Sequence, residues 1–176
     1  TNTSDTTVHT YTGDVNFVAG SGIVMNGTTN IGLALDPYST LNGNITFAAT
    51  SGMNITGDGS AGVLISDNAI LAGNLNLGGT VTMVQTTGTS TSGSSLYGLL
   101  MDGQVNGNIS LPAGGTMTVN GALATGMSIQ GTGVTGSISI GGTLQTVGIS
   151  STLQQNQVTS STIFPEAGSG LVVAAN

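Results

Sequence analysis

Short runs of alternating apolar and polar residues recur along the chain. One set reads Val15-Asn16-Phe17, Ile45-Thr46-Phe47, Leu75-Asn76-Leu77, Ile109-Ser110-Leu111 and Ile138-Ser139-Ile140. Apolar, polar, apolar is a period of two, the pattern of a half-buried strand. A second set places Ile23 with Met25, Met53 with Ile55, Val81 with Met83, and Met117 with Val119. A third places Leu33 with Leu35, Val63 with Ile65, Leu99 with Met101, and Met127 with Ile129. Asn-Gly at 26, 42, 106 and 120 and Gly-Gly at 78, 114 and 141 separate these runs. Asn and Gly tolerate positive φ, so they mark corners. No segment carries a 3.6-residue apolar period with helix caps, so the chain is expected to be all-β.

The runs recur in phase. "GDVNFVAGSGIVMNG" (13–27) aligns without a gap to "GNITFAATSGMNITG" (43–57), and further copies open at Gly73, Gly107 and Gly136. A second block interleaves with them: "IGLALD", "AGVLIS", "YGLLMD" and "TGMSIQ". The one longer interval contains "TTGTSTSGSS" (86–95), a Ser/Thr/Gly loop between strands. Fixed periods of this length mark stacked repeat architectures. Three short strands and their corners per ~30 residues make one coil of a parallel β-solenoid, with like residues stacked about 4.8 Å apart. About five coils over 13–148 are expected, with Phe17, Phe47, Leu77, Leu111 and Ile140 in one core column. Residues 1–12 then form an extended N-terminal arm, and 149–176 form a tail that closes the solenoid or joins a neighbour. An antiparallel sandwich would not need like segments to recur in phase.

Composition narrows what such a solenoid can do. The chain has 176 residues, seven acids, no Lys or Arg, no Cys, and formal net charge −7. Without basic side chains it has no electrostatic handle for phosphate backbones or anionic lipid, so no nucleic-acid partner is expected. No apolar run approaches the ~20 residues of a membrane helix, so no membrane insertion is expected. The missing initial Met suggests a removed leader. The absence of trypsin-type cleavage sites suits an extracellular or cell-surface location.

The Gly/Asn/Thr-rich coils with strand starts "GNIT", "GNIS" and "GSIS" resemble, in repeat style, the β-helical passengers of bacterial autotransporters and filamentous-haemagglutinin-type adhesins. The resemblance spans roughly residues 13 to 148 and implies a secreted, surface-displayed or matrix structural protein. Parallel β-helices also include polysaccharide lyases and hydrolases, but those use basic residues with calcium, or clustered aspartates. This chain offers one histidine, His9, and one glutamate, Glu166, and no Ser-His-Asp spacing. It is not expected to be an enzyme.

Asp36, Asp67 and Asp102 follow the third strand of successive coils, at "LDPY", "SDNA" and "MDGQ". Stacking would bring like charges to one edge, where Ca²⁺ with oxygen ligands could relieve them. Asp-Pro, Asp-Asn and Asp-Gly are also ordinary turn dipeptides, and Asp67 falls one place late, so solvated turn residues are the favoured reading. No other cofactor is implied. Sequons at Asn2, Asn26, Asn44, Asn54 and Asn108 occur about as often as chance gives in so Asn- and Thr-rich a chain. Thr80 and Thr82 stack near Thr116 and Thr118, a partial Thr array of the kind ice-binding solenoids use.

The ends carry the functional expectation. A solenoid leaves open strand edges that template association unless covered. No capping helix is visible at either end. Val8 and Tyr11 are the sizeable apolar groups of the arm, and Ile163, Phe164, Leu171 and Val172 those of the tail. These residues are candidates for assembly with copies of the same chain, head to tail, into a surface fibre or biofilm-matrix filament. Alternatives are a monomeric adhesin that binds glycan or a host surface, and an ice-binding solenoid.

Overall fold

The computed structural model describes residues 6–85, 95–121 and 123–148, and strands at 156–159, 163–164 and 168–173. Among them the chain is a parallel β-solenoid without helix. The first coil comprises β1 (His9–Thr12), β2 (Val15–Phe17), β3 (Gly22–Asn26) and β4 (Ile31–Leu35). The second comprises β5 (Ser39–Asn42), β6 (Ile45–Phe47), β7 (Gly52–Thr56) and β8 (Ala61–Ile65). The third holds β9 (Ile70–Leu71), β10 (Leu75–Leu77), β11 (Thr80–Val84) and β12 (Leu96–Met101). The fourth holds β13 (Gln104–Val105), β14 (Ile109–Leu111), β15 (Thr116–Asn120) and β16 (Ala124–Ile129). A fifth turn begins with β17 (Gly133–Val134), β18 (Ile138–Ile140) and β19 (Thr143–Gly148). Then follow β20 (Asn156–Thr159), β21 (Ile163–Phe164) and β22 (Gly168–Val173).

Like strands stack into four sheets, here called A to D in the order the chain visits them. Sheet A runs β1-β5-β9-β13-β17, and sheet B runs β2-β6-β10-β14-β18. A fourth strand, the one in sheet A, thus joins the three expected per coil. In the sequence it lies between Asp-Pro-Tyr and Asn-Gly, or reduces to two residues, and so reads as part of a turn. The expected arm enters this sheet from His9, which pairs with Ser39, to Thr12, which pairs with Asn42.

Sheet C stacks β3-β7-β11-β15-β19, with β20 antiparallel on the outer edge of β19. Sheet D stacks β4-β8-β12-β16, and the tail strand β22 takes the fifth place, parallel to β16, with Met127 opposite Leu171. The strand β21 then lies antiparallel on β22. The tail therefore closes the fifth turn of its own solenoid after a long excursion from 149 to 167. The same link is 27–30 in the first coil and 57–60 in the second.

The interior is filled by the inward columns. Ile45, Phe47, Met53, Ile55, Val63 and Ile65 are at most 2% exposed, and the third and fourth coils are as closed. Phe17 stacks on Phe47 with ring centroids 4.3 Å apart and planes 4° from parallel. The predicted column is present in register through Phe17, Phe47 and Leu77, and again from Leu111 to Ile140. Its last member differs in burial: Ile140 is 37% exposed, because no strand among the described residues lies beyond β18.

Two glycine columns set how closely the wall is drawn in. At the corner before sheet B, a Cβ on Gly43, Gly73, Gly107 or Gly136 would strike the carbonyl of the glycine one coil below. In sheet D, a Cβ on Gly98 would lie 2.6 Å from the Gly126 carbonyl and would overlap the Met117 thioether. Glycine there makes room for the long methionines that sheet C sends across the core.

Candidate functional site

A ladder runs up the corner that precedes sheet B. Asn44 donates its backbone N–H and its Nδ2 to Asp14 Oδ1, at 2.7 and 3.1 Å. Asn74 does the same to Asn44 Oδ1, both at 3.0 Å, and Asn108 to Asn74 Oδ1, at 2.9 and 3.1 Å. Ser137 completes it, donating its N–H and hydroxyl to Asn108 Oδ1 at 2.8 and 2.9 Å. Each rung satisfies a corner amide that the turning backbone would leave open. Asp14, Asn44, Asn74, Asn108 and Ser137 each follow a repeat glycine, a signal present in the sequence. The ladder is directional: each oxygen accepts from the coil above. It also engages the amide nitrogens of the Asn44 and Asn108 sequons, while Asn26 and Asn54 stand exposed. Asn2 lies outside the described residues.

Of the three turn aspartates, two come together. Asp67 and Asp102 line one cavity of about 260 Å³ with Asn68, Gln104 and Thr132; Asp36 is not among its walls. Burial, and then the Asp67 charge, raise the Asp102 carboxyl above its ordinary value. Asp67 Oδ2 accepts from Asn68 Nδ2 at 2.8 Å. Among the described residues no group of three or more His, Cys, Asp or Glu side chains could hold a metal ion. Asn68 is left-handed at φ 59°, as is Tyr38 at φ 58° one coil earlier, so the turn is the same whether or not the aspartate is offset.

The outer face of sheet C carries threonine in register. Thr80 pairs with Thr116 and Thr116 with Thr143, and beside them Thr82 pairs with Thr118 and Thr118 with Gln145. Gly52, Asn54, Gly22 and Val24 continue these rows toward the first coil, so the array covers the later coils only.

The two ends differ. At the first-coil end β1, β2, β3 and β4 are the outermost strands of all four sheets. Val15, Phe17, Ile23, Met25, Leu33 and Leu35 pack on the core there but remain only half-buried. Val8 and Tyr11, expected to serve assembly, are 63% and 58% exposed beside this end. At the other end β17 and β18 are outermost in sheets A and B, whereas β20 and β21 cover β19 and β22 in sheets C and D. Ile163, Phe164, Leu171 and Val172 belong to β21 and β22; their side chains lie outside the description. His9 sits in β1, and Glu166 is outside the described residues.

No protein-family model, curated protein or solved structure matches the chain. The parallel β-solenoid itself is consistent with β-helix repeat proteins.

Proposed function

We propose that the protein is an extracellular structural element whose copies add head to tail through the first-coil end, as in a surface fibre or matrix filament. One observation carries this reading. The core columns are closed in the second coil, where Phe47 and Ile55 are 2% and 0% exposed, but remain half-open in the first. That end offers four parallel strand edges and a row of apolar side chains, which strand addition would satisfy together. The contact would repeat the coil-on-coil packing already present inside the chain. Ile138-Ser139-Ile140 of one copy would meet Val15-Asn16-Phe17 of the next, and Ser137 would meet Asp14. Heterologous contacts of this kind propagate without closing. The resemblance in repeat style to autotransporter passengers and filamentous haemagglutinins supports the extracellular placement, and the lack of basic residues argues against catalysis and nucleic-acid binding.

The test is an edge block. Val15 N donates to Asn44 O, so along the alternating strand the Asn16 N–H faces the open edge. Proline at such a position leaves the internal ladder intact and removes the outward donor. Concentrated wild-type protein should form oligomers or filaments by electron microscopy and light scattering, and Asn16→Pro should stay monomeric with its solenoid circular dichroism retained. A wild type that stays monomeric at every concentration, even with β20 and β21 displaced, sinks the reading.

The Thr80–Thr116–Thr143 row favours a second reading, a monomer that binds an ordered surface through sheet C. Thr116→Lys should then abolish binding to ice or to a glycan surface without affecting oligomeric state.

A further inference from the structure

Head-to-tail addition as proposed above has an obstacle built into the chain. In sheets C and D the layer beyond the fifth turn is already occupied, by β20 on β19 and by β21 on β22. In sheets A and B, β17 and β18 are the outermost strands among the described residues. A second copy seated on this end would place its β1 and β2 against β17 and β18. Its β3 and β4 would need the edges that β20 and β21 hold. Two strands cannot share one edge, since each edge amide and carbonyl serves one ladder.

The excursion that carries β20 and β21 is not required to build the turn. The link between the sheet C and sheet D strands spans 27–30 and 57–60 in the first two coils, 85–95 in the third and 121–123 in the fourth, against 149–167 here. A link of four residues would suffice to bring the chain from β19 to β22. The extra length folds back as two strands that run antiparallel to their neighbours, in a solenoid otherwise parallel throughout.

We infer that β20 and β21 are a self-cover that competes with a second copy of this chain for the growing end, so that assembly is held back until they lift. The occupant is a second copy because every feature left open in sheets A and B continues the internal repeat. The Gly136 corner would meet Gly13, and the apolar-polar-apolar β18 would meet β2 of like pattern. This inference rests on the head-to-tail reading and adds its regulation. If the uncovered state is populated to about one part in ten, the apparent affinity of the joint falls about tenfold.

The experiment compares three full-length chains by light scattering and electron microscopy over a concentration series. The first is wild type. The second has residues 149–167 replaced by the chain's own short link, Gly57-Asp58-Gly59-Ser60 in sequence. The third carries Gln145→Cys with Thr159→Cys, register partners across β19 and β20, to be joined as a disulfide by oxidation. The short-link chain should assemble at about tenfold lower concentration than wild type. The oxidised double-cysteine chain should assemble less than wild type and recover on reduction. This arm remains decisive if the short-link chain does not fold. Equal assembly of all three chains, with or without reductant, overturns the self-cover and leaves the head-to-tail reading standing. Monomers throughout, including a well-folded short-link chain, overturn the head-to-tail reading and the self-cover with it.

Discussion

Asn74 hands two hydrogens to Asn44, one from its backbone and one from its side chain, both 3.0 Å from the same Oδ1 atom. That oxygen is the link between two turns of the chain thirty residues apart. Asn74 Oδ1 in turn accepts two bonds from Asn108, so one side chain joins three coils. Asn74→Ala removes three of these bonds and leaves the Asn108 backbone N–H without its acceptor. At roughly 1 kcal/mol per bond, reduced by water at this exposed corner, the loss should be about 1 to 3 kcal/mol in a denaturant titration. Asp14→Asn keeps the accepting oxygen and should stay within about 0.5 kcal/mol of wild type.

Burial along the Phe17 column predicts a gradient. Phe47→Ala opens a closed core and should cost about 3 to 5 kcal/mol. Phe17→Ala should cost less, since its outer face is already open, and Ile140→Ala should cost under about 1 kcal/mol. Equal losses at the three positions would mean that the ends are as well covered as the middle.

The glycine of sheet D predicts a sharper contrast. Gly98→Ala places a Cβ against the Gly126 carbonyl and the Met117 thioether, and overpacking of this kind costs about 1 to 3 kcal/mol. Gly52→Ala meets nothing within 4 Å and should leave the melting temperature unchanged or slightly raised. Thermal melts of the two variants side by side decide it.

Asp102 predicts a pH dependence. Its folded-state proton affinity is raised by burial and by Asp67. The folded chain therefore holds this proton more tightly than the unfolded chain does. The stabilising contribution is complete below the unfolded value, near 3.8, and is lost as pH rises through the higher folded value. Asp102→Asn should raise the melting temperature at neutral pH and give no gain near pH 3. The turn-residue reading of Asp36, Asp67 and Asp102 also predicts identical melts in chelator and in millimolar calcium.

Salt should favour assembly. Each chain carries −7 and has no Lys or Arg with which to form a bridge at a joint. Raising ionic strength from about 0.01 to 1 M shortens the screening length from about 30 to 3 Å and weakens the repulsion between copies. Oligomers that dissolve as salt rises would point to an ionic joint instead.

Much of the architecture was legible in the sequence. The in-phase return of Ile45, Leu75 and Ile109 announced stacking, because like residues return to the same place in each repeat when like packs on like. The Asn ladder was equally written after each repeat glycine, yet "GNIT", "GNIS" and "GSIS" read only as strand starts, since spacing alone does not show that one side chain accepts from the coil above. Sheet A escaped notice because three of its strands are two residues long, too short for alternation to show. The tertiary structure alone decided that Asp67 shares a cavity with Asp102 and not with Asp36. It alone brought β22 back across the excursion from 149 to 167 to close the fifth turn on β16. Local pattern specifies which residues face inward, because that depends on a strand's own period. Which edges meet depends on where distant segments arrive, and only the assembled coils determine that.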